Sequence, residues 1–185
     1  MSEISAIENL FSLPVKLIFT DLDGSLLDHH SYSFKPAVEM LEKLESKGIP
    51  VIPITSKTMA ELLPLRKLLN NNHPFIVENG AAIYIPQGYF LKQPEKAKSV
   101  DNFWVIENAA SRKNWLELLH SNSDEFAGEY QTFDSIFQQH GDEGIADLTG
   151  LSSGMAKLAN QRNFSEPVHW TGTAARKKLF INKMQ

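Results

Sequence analysis

The sequence predicts an α/β fold, a parallel sheet with helices between its strands, followed by a smaller α+β unit. Three observations carry that prediction. Short apolar runs at Val15–Phe19, Ile49–Ile54 and Pro74–Val77 have the length and β-branched or aromatic content of buried strands. Segments of helical periodicity separate them, which implies βαβ units. Each run ends in a cluster of polar residues, the position where ligands bind in an open α/β sheet.

Taken in order, residues 1–13 read as a leader with little fixed structure. The first strand follows and ends in Asp21-Leu22-Asp23-Gly24. His29 to Phe34 reads as a loop beyond that acidic turn. A helix starts near Pro36, a favoured early helical position, and carries Val38, Leu41 and Leu44 on one face. Lys47-Gly48 stops it. The second strand ends in Thr55-Ser56-Lys57-Thr58. The next helix is expected to turn Leu62, Leu63, Leu65, Leu68 and Leu69 inward, and Asn70-Asn71-Asn72 breaks it. The third strand ends in Glu78-Asn79-Gly80. Ala82 to Pro86 and Tyr89 to Lys92 flank Gln87-Gly88 and are expected to form a hairpin.

The pattern changes near Gln93, so the expected division is a core at 1–93 and an α+β unit at 94–185. In the second part, Ser111 to His120 suits a helix and Tyr130 to Phe137 is ambiguous. Gly141 to Gly144 reads as a turn. Ser152 or Ser153 can cap a further helix through Gln161. Phe164 to Trp170 suits a strand, and the chain from Thr173 suits a helix. There is no internal repeat.

Composition narrows the functional classes. The 185 residues are 42% hydrophobic and 22% charged, a globular balance. A net charge of −4 argues against a nucleic-acid partner. No apolar run approaches membrane-spanning length, and the N-terminal residues lack a signal-peptide pattern. Without cysteine there can be no disulfide and no thiolate metal site. A cytoplasmic, soluble protein is expected.

Asp21 and Asp23 are the leading candidates for chemistry. Two acids at a strand end lose water and repel each other, a cost that a cation or a chemical task offsets. Such a pair can hold Mg²⁺ through oxygen, one member acting as nucleophile while the other moves protons. The plain alternative is a helix cap or a solvated turn. Thr55, Ser56 and Lys57 can form an anion site at a helix N-terminus. The alternative is an ordinary N-cap beside a surface lysine. Asn79, with Glu78 and Gly80, can contact a polar substrate or simply form a turn. Arg162 could clamp a carboxylate or phosphate, though it and the Ser165-Glu166 pair read more simply as solvated surface. The histidines lack metal-ligand spacing.

Asp21-Leu22-Asp23-Gly24-Ser25-Leu26-Leu27 resembles the first motif of the haloacid dehalogenase (HAD) superfamily of phosphatases. Thr55-Ser56-Lys57-Thr58, Val77-Glu78-Asn79-Gly80-Ala81, Leu148-Thr149-Gly150-Leu151 and Asn163-Phe164-Ser165-Glu166-Pro167 together resemble its mannosyl-3-phosphoglycerate phosphatase family. The resemblance implies a HAD-like Rossmannoid core and a C2-type cap. It implies that Asp21 attacks phosphorus and that Asp23 protonates the leaving alcohol and then activates water. Mg²⁺ would sit on Asp21, the backbone carbonyl of Asp23 and a later acid, with Thr55 on the phosphoryl group. Arg162, Ser165 and Glu166 would be the cap's substrate contacts, and the substrate a small phosphorylated sugar acid.

Ser25 stands where the family usually has threonine. The family's third motif, a lysine, and its fourth, an acidic cluster, are not found after the cap-like segment. The nearest acidic stretch, Gly141-Asp142-Glu143-Gly144, lacks an apolar strand before it. The expectation is therefore a truncated member with an incomplete cap. Two functions follow: a Mg²⁺-dependent phosphatase, or a catalytically impaired relative that binds a sugar phosphate or a partner. Under the second, an exposed sheet edge could pair with another copy. A receiver-like phosphoacceptor is a third reading.

Overall fold

A computed structural model describes residues 16–28, 33–122 and 124–184. The expected leader, Val15 and the His29-His30 pair lie outside them. Strand β1 (Ile18–Thr20) pairs in parallel with β2 (Val51–Pro53), Ile18 opposite Val51. A parallel bridge from Ile54 to Ile76 carries the pairing on to β3 (Phe75–Val77). Helix α1 (Val38–Ser46) connects the first two strands and α2 (Met59–Leu68) the next two. The predicted succession of parallel strands and helical connections is therefore present.

Local chemistry explains the helix starts. Pro36 lies in a single 3-10 turn, Lys35–Ala37, that leads into α1. Thr58 caps α2 with a reciprocal box: its hydroxyl accepts from Glu61 N, and its own N–H donates to the Glu61 carboxylate. Of the five leucines expected to face inward from this segment, Leu62 is fully buried while Leu68 is 69% exposed.

Strand β4 (Ala82–Pro86) runs antiparallel to β3, but its second partner is not the neighbouring segment. Residues 89–92 form no strand, and the expected local hairpin is absent. The partner is β6 (Phe103–Glu107), which places Val105 opposite Tyr84. Both of those residues are buried, whereas Leu91 is wholly exposed, so β6 offers β4 an apolar face that 89–92 does not. Strand β5 (Lys98–Val100) completes a sheet of order β3-β4-β6-β5. The sheet thus continues past residue 93 as far as Glu107.

The second part contains α3 (Arg112–Ser121), β7 (Tyr130–Thr132), α4 (Phe133–Thr149), α5 (Ser153–Ala159), β8 (Val168–Trp170) and α6 (Ala174–Lys183). β7 and β8 pair antiparallel. Gly141, at φ 65°, bends α4, so the segment expected to form a turn is a kink within one helix. Among the described residues no helix is long and apolar enough to cross a membrane.

Among the described residues, three apolar clusters hold these parts. The largest joins Leu22, Leu27, Leu62, Phe75, Val77, Tyr84 and Val105 with Phe164 from the second part. Phe133, Ile136, Ile145 and Ala156 pack α4 against α5. Leu119, Phe126 and Phe180 gather α3 and α6. β1 stands apart from this packing. Leu17, Ile18 and Phe19 are 42%, 37% and 55% exposed, so neighbours on both faces of the strand are open to solvent. Parallel strands are normally covered on both faces.

Leu62, at the centre of the largest cluster, gives a direct test. Leu62→Ala is expected to lower stability by about 2–5 kcal/mol. Urea unfolding would register this as a lower midpoint at unchanged slope.

Candidate active site

The acidic turn is anchored by the residue between its two acids. Leu22 is fully buried and Leu27 nearly so, while Asp21 and Asp23 are exposed. Leu27 N donates to Leu22 O at 2.8 Å, and Gly24 N to Leu27 O at 3.0 Å. The tight return needs Gly24 at φ 74°, where a side chain would be strained. Burial of Leu22 therefore orients both carboxylates away from the core at the carboxyl end of β1. Asp21 Oδ1 accepts from Leu22 N at 2.8 Å.

The loop after β2 lies beside this turn. Thr55 is buried, and its hydroxyl accepts from Lys57 N at 3.1 Å. The loop after β3 is tied to it through backbone bonds. Asn79 N donates to Thr55 O and Glu78 N to Lys57 O, each at 3.0 Å. Those bonds hold an unusual backbone, since Glu78, Asn79 and Gly80 have φ of 49°, 59° and 93°. Glycine adopts such angles freely, but each non-glycine residue costs about 1–3 kcal/mol.

A shallow cavity of about 480 Å³ opens where the loops meet, lined by Phe19, Thr20, Asp21, Ile54, Thr55, Ser56 and Asn79. Four of the sequence candidates, Asp21, Thr55, Ser56 and Asn79, thus share one cavity. Lys57 reaches sideways instead, its Nζ 2.8 Å from Asp23 Oδ2.

Glu78, Gly80, Ser165 and Glu166 line a second cavity, which Asn79 also borders. Glu78 is buried, and its carboxylate accepts from Asn163 N at 2.9 Å, Phe164 N at 3.1 Å and Ser165 Oγ at 2.6 Å. Arg162 Nε is 3.7 Å from the same carboxylate and donates to Ser165 Oγ. Its terminal nitrogen donates to Ser56 O at 2.8 Å, which brings the second part onto the cavity's rim. Burial lowers the Arg162 pKa, and Glu78 acts in the opposite direction. Glu166 pairs with Arg112 and accepts from Asp134 N at 2.8 Å, the N-terminal turn of α4. The polar atoms of Glu78, Ser165 and Glu166 are thus engaged within the chain.

Sequence reasoning missed Arg112, whose guanidinium binds Glu166 and also Asn160 O and Oδ1. It also missed Thr58, whose hydroxyl donates to Leu158 O at 2.9 Å and ties α2 to α5. The capping-box spacing of Thr58 and Glu61 was a signal for the helix start, though not for the contact with Leu158. Nothing in the sequence marked Arg112.

The donors that could hold Mg²⁺ are the Asp21 carboxylate and the Asp23 backbone carbonyl. Hard oxygen ligands suit this ion, which keeps several waters and takes substrate oxygens alongside one or two carboxylates. Among the described residues, no group of three or more acids or histidines is placed to hold a metal.

A profile of haloacid dehalogenase-like hydrolases matches residues 18–151, well over half of the chain. The chain belongs to the haloacid dehalogenase-like hydrolases. It is 37% identical over 151 residues to a glucosyl-3-phosphoglycerate/mannosyl-3-phosphoglycerate phosphatase of Persephonella marina, covering 82% of this chain and 54% of that protein. A protein of the same name from Methanococcoides burtonii is 38% identical over 150 residues, covering 81% of this chain and 54% of that protein. The chain therefore spans about half the length of these relatives. Its fold is similar to that of a HAD subclass IIB sugar phosphatase, at a TM-score of 0.55 and 16% identity over 91% of this chain and 63% of that one. A protein from Geobacillus kaustophilus gives 0.56 at 16% identity, over 90% of this chain and 61% of that one. These two likenesses support the HAD-like α/β fold.

Removing the Glu78 carboxylate would leave its three donors without their acceptor. Glu78→Ala is expected to cost about 3–5 kcal/mol, measured by denaturant unfolding. Hydrogen exchange at the amides of Asn163 and Phe164 should accelerate in the same variant.

Proposed function

We propose that this HAD-like hydrolase is built for Mg²⁺-dependent hydrolysis of a glycosyl-3-phosphoglycerate, with mannosyl-3-phosphoglycerate the preferred candidate. The observation that carries the reading is one cavity lined by Asp21, Thr55, Ser56 and Asn79 at the carboxyl end of parallel strands. The names of the two relatives support the substrate class.

In this reading the phosphoryl group sits in the cavity against Thr55 and Ser56. One Asp21 oxygen is occupied by Leu22 N–H, which leaves the other for attack on phosphorus. Attack forms an aspartyl-phosphate and breaks the bond from phosphorus to the ester oxygen, which takes its proton from Asp23. Asp23 then accepts a proton from water as the water attacks the same phosphorus, restoring Asp21 and releasing phosphate. Bound at the Asp21 carboxylate and the Asp23 carbonyl, Mg²⁺ would neutralise charge on the phosphoryl oxygens. Arg162, hydrogen-bonded to Ser56 O, is the residue of the second part best placed to meet the rest of the substrate.

The exposure of β1 favours a second reading, a binding module with impaired turnover. Leu17, Ile18 and Phe19 present an apolar strand that could pair with another copy of the chain. Purified protein assayed with Mg²⁺ and mannosyl-3-phosphoglycerate separates the two. The phosphatase reading expects phosphate release that falls by at least about a thousandfold in Asp21→Asn. Absence of release from the unsubstituted chain would favour the binding module. For that module, sedimentation should detect a dimer that Phe19→Lys disperses.

A further inference from the structure

The pairing of Lys57 with Asp23 is unusual for a residue flanking a phosphate cavity. Thr55 and Ser56 line the cavity, and the next residue sends its cation to an acid on a different loop. The backbone of Lys57 is held at both ends. Its N–H donates to Thr55 Oγ1, and its carbonyl accepts from Glu78 N. From that fixed base the side chain extends four methylenes to a tip with three rotatable donors. It is 18% exposed and the Asp23 side chain 38%, so water weakens the pair without abolishing it.

We propose that Lys57 is a positioning residue that exchanges partners. Without an anion in the cavity it holds the Asp23 carboxylate. When a phosphoryl group enters beside Thr55 and Ser56, the ammonium moves to the phosphoryl oxygens and releases Asp23. The driving force is a difference in charge, because a phosphate dianion offers the ammonium more negative charge and more acceptor oxygens than one carboxylate. The same movement leaves Asp23 without a fixed partner at the moment a proton must be moved. The proposal rests on the reading of the cavity as a phosphate site. It adds that anion binding and the Lys57–Asp23 pair compete.

Competition has a thermodynamic signature independent of turnover. Inorganic phosphate binding would be measured by calorimetry, with Mg²⁺ present at one pH, on four proteins. These are the unsubstituted chain, Asp23→Asn, Lys57→Met and the double variant, each first checked for folding by circular dichroism. Asp23→Asn removes the competing charge and should tighten phosphate binding by roughly threefold or more, the scale of a partly exposed ion pair. In the Lys57→Met background the same change should alter binding less, since only general repulsion remains. The difference between the two gains isolates the exchange. Lys57→Arg, which keeps the charge, should restore the larger gain when combined with Asp23→Asn. Equal gains in both backgrounds would overturn the exchange and leave the phosphate site standing. Absence of phosphate binding in all four proteins would overturn the site and the exchange together.

Discussion

A carboxylate taken out of water must be met by polar groups, and that of Glu78, from the first part of this molecule, is met by four residues of the second. The desolvation of such a group costs several kcal/mol. Three donors from Asn163, Phe164 and Ser165 and the guanidinium of Arg162 offset it. The backbone of Glu78 is itself in the left-handed region and is held there by its bond to Lys57 O. One residue thus fixes the loop after β3, the loop after β2 and the segment at 162–165. Phe164 enters the core cluster through this arrangement, and Arg162 reaches Ser56 through it. The shape of the candidate site depends on that meeting more than on any contact within the site.

The acidic turn follows a different logic. Its return is closed by its own backbone bonds and the positive φ of Gly24, while Leu22 anchors it in the core cluster that Phe164 of the second part also enters. The molecule therefore combines an acidic turn closed by its own backbone bonds with cavity-lining loops whose geometry is set from a distance. Lys57 joins the two systems, since its backbone belongs to the loops and its ammonium to the turn.

β1 carries the acidic turn, yet it is far less covered than the β2 and β3 strands beside it. Its pairing with β2 satisfies one edge, and its apolar residues remain exposed on both faces. Relatives at 37% and 38% identity are about twice as long as the stretch they share with this chain. An apolar parallel strand in water is a standing invitation to further pairing.

The sequence by itself determined the elements whose cause is local. Apolar runs, capping residues and the Asp21-Leu22-Asp23-Gly24 turn are read from neighbours in the chain, so β1, β2, β3 and the helices between them were legible, as was the family. Asp21, Thr55, Ser56 and Asn79 could be grouped because each follows a strand of one parallel sheet. Tertiary structure decided whatever depends on residues distant in sequence. It paired β4 with β6 instead of residues 89–92, because the burial of Tyr84 and Val105 outweighed the convenience of a nearby turn. It turned Glu78, Ser165 and Glu166 toward partners within the chain, since a buried carboxylate takes the donors that folding brings to it. It also gave Lys57 an acid 34 residues away, a contact that no spacing in the sequence encodes.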